Sequence, residues 1–232
     1  TRTTRRQSLT EEGALLHAHA VRLLAELDEV GQQLMHTRGA VAGLLGIAAP
    51  AAFGRRYLAP LLGQFGALHP EVQIELELGD RMVDLVASGI DLAVRFGGLD
   101  DSSYVSRPLA PNHRVLCAAP GYVQRHGSPV TLAALPQHHC LGIGVPTPTE
   151  WRFGEASVRI APRLASNDGE AVHQWALHGH GIALKSIWEV ADDLQAGRLV
   201  RVLPALPSQD APLHAVYPNR NHLALRVRTC ID

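Results

Sequence analysis

Residues 79–109 read GDRMVDLVASGIDLAVRFGGLDDSSYVSRPL, and no other stretch constrains the fold as strongly. Asp80 at its start can cap a short helix by accepting first-turn N–H groups that have no intrahelical partner. Val83, Val86 and Ala87 then share one face, and Gly89 supplies a C-terminal stop. Residues 91–96 form a short apolar run halted by Gly97-Gly98, the pattern of a buried strand. Helix, parallel strand and glycine turn make half of a βαβ unit, and open α/β sheets bind ligands at the carboxyl ends of such strands. From the residues alone, the expectation is an α/β ligand-binding domain.

The chain before this stretch opens on a basic segment. Arg2, Arg5 and Arg6 alternate with Thr1, Thr3 and Thr4. Guanidinium and hydroxyl groups are a phosphate-contacting set, although a frayed basic terminus has the same composition. From residue 13 the pattern turns helical. Leu16, Ala20, Leu23, Leu27, Val30 and Leu34 step by four, three, four, three and four, the seam of a coiled coil. An amphipathic helix packed on its own domain is the alternative. Residues 37–43 (TRGAVAG) read as a hinge. Residues 44–49 predict a buried strand ended by Pro50. A helix follows with Leu58, Leu61, Leu62, Phe65 and Leu68 on one face, and Pro60 should kink it or lie in its first turn. Val72, Ile74, Leu76 and Leu78 alternate with polar residues, the sign of a half-buried strand.

Beyond residue 109 the pattern predicts strands at 113–119, 139–142, 181–184, 198–203 and 213–217. Helices are expected at 122–126, 132–135, 170–178, 187–196 and 223–231, with two antiparallel segments at 151–153 and 157–160. The 232 residues carry a formal net charge of -1, so no global basic field draws the chain to nucleic acid. Cys117, Cys140 and Cys230 are widely spaced, which suits reduced, packed thiols. No apolar run approaches the roughly 20 residues of a membrane span. No signal-peptide pattern opens the sequence, so a cytoplasmic location is expected. His138-His139-Cys140 and His178-Gly179-His180 lack zinc-ligand spacing, and neither a G-x-S-x-G elbow nor a phosphate loop is present. The sequence therefore predicts no metal, no cofactor and no enzymatic activity.

DLVASGIDLAVRFG at 84–97 and DSSYVSRPL at 101–109 closely resemble the effector-binding domain of LysR-type transcriptional regulators. So do residues 44–80, read as the family's first βαβ, and the landmarks SND at 166–168 and GHGIAL at 179–184. RTTRRQSLTEEG at 2–13 resembles the wing of the family's winged helix-turn-helix. The resemblance implies a two-lobed, periplasmic-binding-protein-like α/β effector domain preceded by a long dimerisation helix. Residues 1–12 would be a remnant of the DNA-binding wing, with Thr3, Thr4, Arg5 and Arg6 on promoter DNA and the base-reading helices missing. Residues 13–42 would be linker helix and hinge, pairing two or four copies through the 16–34 seam. Residues 43–116 and 211–232 would form one subdomain, and 117–210 the other.

A small-molecule effector would sit between the subdomains, against Ala51, Ala52, Phe53, Arg95, Gly97, Gly144, Ser166, Asn167 and Ile182. Ser166 and Asn167 could equally serve as a helix cap, and Arg95 could form an ion pair with Asp91 or Asp100. Many relatives carry Ser or Thr where this chain has Ala51 and Ala52, and that hydroxyl commonly helps to hold an effector carboxylate. Its absence puts a small carboxylate in doubt. Free N–H groups after Pro50 and the charge of Arg95 still favour an anion, and the expected ligand is small, partly apolar and held mainly by backbone groups. The same scaffold also serves solute receptors and small-molecule enzymes, which keeps both as alternatives.

Overall fold

The computed structural model describes Thr10, Glu12, Gly13, Leu15, Leu16, His19 and Ala20, together with residues 41–80, 84–97, 104–144, 146, 149–206, 209–219 and 223–232. Two mixed sheets carry the architecture. The first is assembled from β1 (Gly43–Ala49), β2 (Val72–Leu78), β3 (Leu92–Phe96), β4 (Tyr104–Ala110) and, from the far end of the chain, β13 (Leu213–Pro218), in the order β2-β1-β3-β13-β4. β1 runs parallel to β2 and β3, whereas β13 is antiparallel to β3 and β4. The second sheet comprises β5 (His113–Ala118), β6 (Cys140–Ile143), β9 (Leu164–Ser166), β10 (Ile182–Ser186) and β11 (Val200–Arg201), in the order β11-β5-β10-β6-β9, with β12 (Gln209–Asp210) also pairing β5. A separate hairpin joins β7 (Glu150–Phe153) to β8 (Ala156–Arg159).

All of β5 pairs in the second sheet, so the expected crossing after residue 116 falls inside a strand. The chain leaves the first sheet at Pro111-Asn112 and returns at Ala211-Pro212. There the Ala211 N–H donates to the Asn112 carbonyl at 2.9 Å, and the Asn112 side-chain amide donates to the Ala211 carbonyl at 2.8 Å. These bonds tie the two connections into one hinge.

Helix α1 is continuous from Ala51–Phe53 through Gly54–Leu58 to Ala59–Leu68, and its middle five residues are π-helical. Pro60 explains the bulge. It has no N–H for the Arg56 carbonyl and its ring would press on that group, which the wider π turn relieves. The expected kink is thus a π-bulge inside a longer helix. α1 and α5 (Leu225–Ile231) bury Leu62, Phe65 and Val227 against Leu45, Ile47 and Leu92. In the second lobe α2 (Pro120–His126) and the hairpin cover one face of the sheet through Tyr122, Trp151, Phe153 and Val158. α3 (Gly169–Leu177) and α4 (Ile187–Gln195) cover the other through Val172, Ala176 and Val190. Cys117 and Cys140 lie in these cores, and burial pushes their thiols up to about 12 and about 11, which keeps them protonated.

Two expectations change. Residues 85–89 form a turn, stopped at Gly89 (φ +67°) by the Ile90 N–H bonding back to the Leu85 carbonyl at 2.9 Å. Its N–H groups at Val86 and Ala87 are capped by Asp84 and not by Asp80. Of the 16–34 seam, Leu16 and Ala20 are helical and exposed, while Leu23, Leu27, Val30 and Leu34 lie outside the described residues. So do Thr3, Thr4, Arg5 and Arg6.

Candidate ligand-binding cleft

A cavity of about 600 Å³ opens where the carboxyl ends of β1, β2 and β3 face the second sheet. The first lobe contributes Ala48 to Pro50, Glu77, Gly79, Asp80 and Ala93 to Phe96. From the second lobe come Arg114, Leu141, Ile143, Glu150 to Arg152, Asn167, Gly169, Leu184, Ser186 and Glu189. This is the size and mixed lining of a small-molecule site.

Asp80 is the central polar group. One carboxylate oxygen accepts the Ala51 N–H at the start of α1 (3.0 Å) and the other accepts the Gly169 N–H at the start of α3 (2.8 Å). A single side chain thus neutralises two helix starts, one in each lobe, where the positive end of the peptide dipoles favours negative charge. The helix-start N–H of Ala51, expected from sequence to be free for a ligand anion, is therefore occupied.

Behind Gly169 lies Lys185, 1% exposed. Its ammonium donates to the Gly169 carbonyl at 2.8 Å and pairs with Glu189 at 2.8 Å. The two partners satisfy a charge that would be costly to bury alone. Sequence reading missed Lys185 because it sits in a strand of otherwise apolar pattern. Further out, α1 and α4 meet. The Tyr57 hydroxyl donates to the Trp188 carbonyl at 2.8 Å, Phe53 and Tyr57 contact the Trp188 ring edge-on, and Arg56 pairs with Asp192.

The expected site residues divide into two groups. Arg95 and Asn167 line the cavity. Phe53 is buried under Phe96 and Trp188, and Ala51 is buried with its N–H on Asp80. Ala52, Gly97, Gly144 and Ser166 are not among its lining residues, and the Ser166 hydroxyl accepts the Asp168 N–H. Ile182 is fully buried in the core of the second lobe, on the face packed by Tyr122 and Trp151, and so does not form the cavity wall. The helix cap at 166–168 is Asp168, whose carboxylate accepts the N–H groups of Glu170 and Ala171. Asp91, offered as a partner for Arg95, accepts the Gly46 N–H and pairs with Arg226.

Arg114 was not singled out from sequence. Strand alternation puts it on the face of Leu116 and Ala118, beside Leu184 and Trp151. Burial lowers its pKa from the ordinary guanidinium value and Glu189 offsets part of that, yet an arginine stays charged. Arg95 is lowered by burial too.

Residues 38–232 match the protein family described as the LysR substrate binding domain. The HTH-type transcriptional regulator DmlR of Escherichia coli (strain K12) is 36% identical over 242 residues, an alignment that takes in 100% of this chain and 77% of DmlR. The HTH-type transcriptional activator TtdR of the same strain is 35% identical, with 100% of this chain and 76% of TtdR covered. Among solved structures, CrgA, a LysR-type transcriptional regulator from Neisseria meningitidis, superposes with a TM-score of 0.74 at 30% identity, over 100% of this chain and 82% of CrgA. The full-length Vibrio cholerae virulence activator AphB gives a TM-score of 0.75 at 26% identity, over 100% and 81%.

Proposed function

The chain belongs to the LysR family of ligand-responsive transcriptional regulators, and on this premise we propose that the cavity between its two sheets is the effector site. One observation carries the reading: strands from both sheets end on a cavity of about 600 Å³, so a ligand there touches both lobes and can bias their relative position. Arg95, Phe96 and Asn167 contact the effector. The bound molecule is a signal and not a substrate. The protein works in the cytoplasm as a homodimer or homotetramer joined through the 16–34 seam, and Thr3, Thr4, Arg5 and Arg6 lie against promoter DNA. These roles follow from family membership and the sequence pattern.

The test is a thermal-shift screen of metabolites, followed by calorimetric titration of the strongest hit into the wild type and Asn167→Trp. Asn167 is exposed at the rim, so an indole there fills the cavity without disturbing a core. Affinity should fall at least tenfold while the circular dichroism spectrum stays unchanged. Undiminished affinity would move the site elsewhere.

A further inference from the structure

Resting on that reading of the cleft, we infer that the effector is a small, partly apolar carboxylate and that Arg114 of the second lobe holds its charged end. The helix starts that face the cleft, where an anion would otherwise be favoured, are already filled. Asp80 takes the helix-start N–H groups of both Ala51 and Gly169, so a second carboxylate there would meet like charge and two spent donors. The Arg114 side chain, in contrast, makes no hydrogen bond and no ion pair among the described residues, although it lines the cavity. Glu189 acts on it electrostatically, but that carboxylate is taken by Lys185 at 2.8 Å. Glu150 is likewise engaged, by Arg152 and Ser157, and Glu77 stands exposed on β2.

A half-buried guanidinium offers a planar fork of donors that matches a carboxylate in bidentate fashion. In a partly desolvated cavity that pairing is stronger than in water. Phe96, Trp151, Leu141 and Ile143 supply the apolar walls, which calls for a ligand with a hydrocarbon body. The charge is thus recognised from the second lobe, and the alanines at 51 and 52 require no hydroxyl.

The probes are butyrate, succinate, glutarate, benzoate and phenylacetate, each beside its uncharged amide, with sodium sulfate as the inorganic anion, all at one ionic strength. They are titrated by calorimetry into the wild type, Asn167→Trp, Arg114→Gln and Arg114→Lys, with circular dichroism to confirm folding. At least one carboxylate should bind while its amide does not. Arg114→Gln should weaken it at least tenfold, and Arg114→Lys, which keeps the charge but loses the fork, should fall between. If no carboxylate binds, if an amide binds as well as its acid, or if sulfate binds better than every carboxylate, the inference is overturned. It is overturned as well if Arg114→Gln keeps an affinity that Asn167→Trp loses, and the cleft reading then survives. Binding that persists in Asn167→Trp would instead overturn the cleft itself.

Discussion

Asp80 bonds to the first N–H of α1 and the first N–H of α3 with one carboxylate, and no local sequence signal distinguishes that from a cap on its own helix. Its backbone position, next to Gly79 at the end of β2, gives it reach into both lobes. Hydrogen bonds to a charged acceptor contribute roughly 1.5–3 kcal/mol when sheltered, and the exposure of Asp80 reduces that. Asp80→Ala should therefore lower stability by about 1–2 kcal/mol in urea, and it should raise the radius of gyration in small-angle scattering as the lobes part. If neither quantity moves, the carboxylate does not couple the lobes. Lys185 and Arg114 make the same point about legibility. Both are charges in strands, and only the pairing of β5 with β10 and the nearness of the hairpin reveal that one is satisfied internally and the other faces the cavity.

Glycines mark where elements approach one another. A Cβ added at Gly181 would lie 2.3 Å from the His139 carbonyl oxygen, a backbone atom at the edge of β6 that cannot swing aside. Gly181→Ala must push β10 away from β6, and overpacking of this kind costs about 1–3 kcal/mol. Chemical denaturation should show that loss; wild-type stability would mean the parallel pair is more plastic than its register implies. Much at this scale was legible. The alternation in β2, the apolar run of β3, the hairpin of Trp151 and Phe153 and the helix after Asp168 all follow from local pattern. β4 did not. Most of its residues are exposed, it contains Pro108, and it holds an edge position where neither periodicity nor a full set of donors is required. The π-bulge of α1 was hidden as well, since Pro60 reads as a kink or a first-turn residue unless a π turn accommodates it. The cavity residues were less legible than the strands, because residues such as Asp80, Arg114 and Trp151 are brought together only by tertiary structure.

The whole molecule joins two independently packed sheets through the Asn112–Ala211 hinge and the contacts of α1 with α4, an arrangement in which a ligand can act on their spacing. Self-association would rest on the 16–34 seam. A helix over residues 16–34, as the heptad spacing predicts, would run about 27 Å at 1.5 Å per residue and carry large apolar side chains, each worth roughly 1.5–3 kcal/mol when buried. Leu16 is 71% exposed within one chain, so a partner is what would cover it. Leu23→Asp with Leu27→Asp should dissociate the assembly, and sedimentation showing an unchanged mass would remove the seam from the account. If the effector is gripped between the sheets, as we propose, amide hydrogen exchange with and without the strongest screening hit reads it from both sides. Exchange should slow in both lobes at once, at residues 93–96 of the first and 141–143, 150–152 and 167–169 of the second. Protection confined to one sheet, or lying away from these segments, would contradict it.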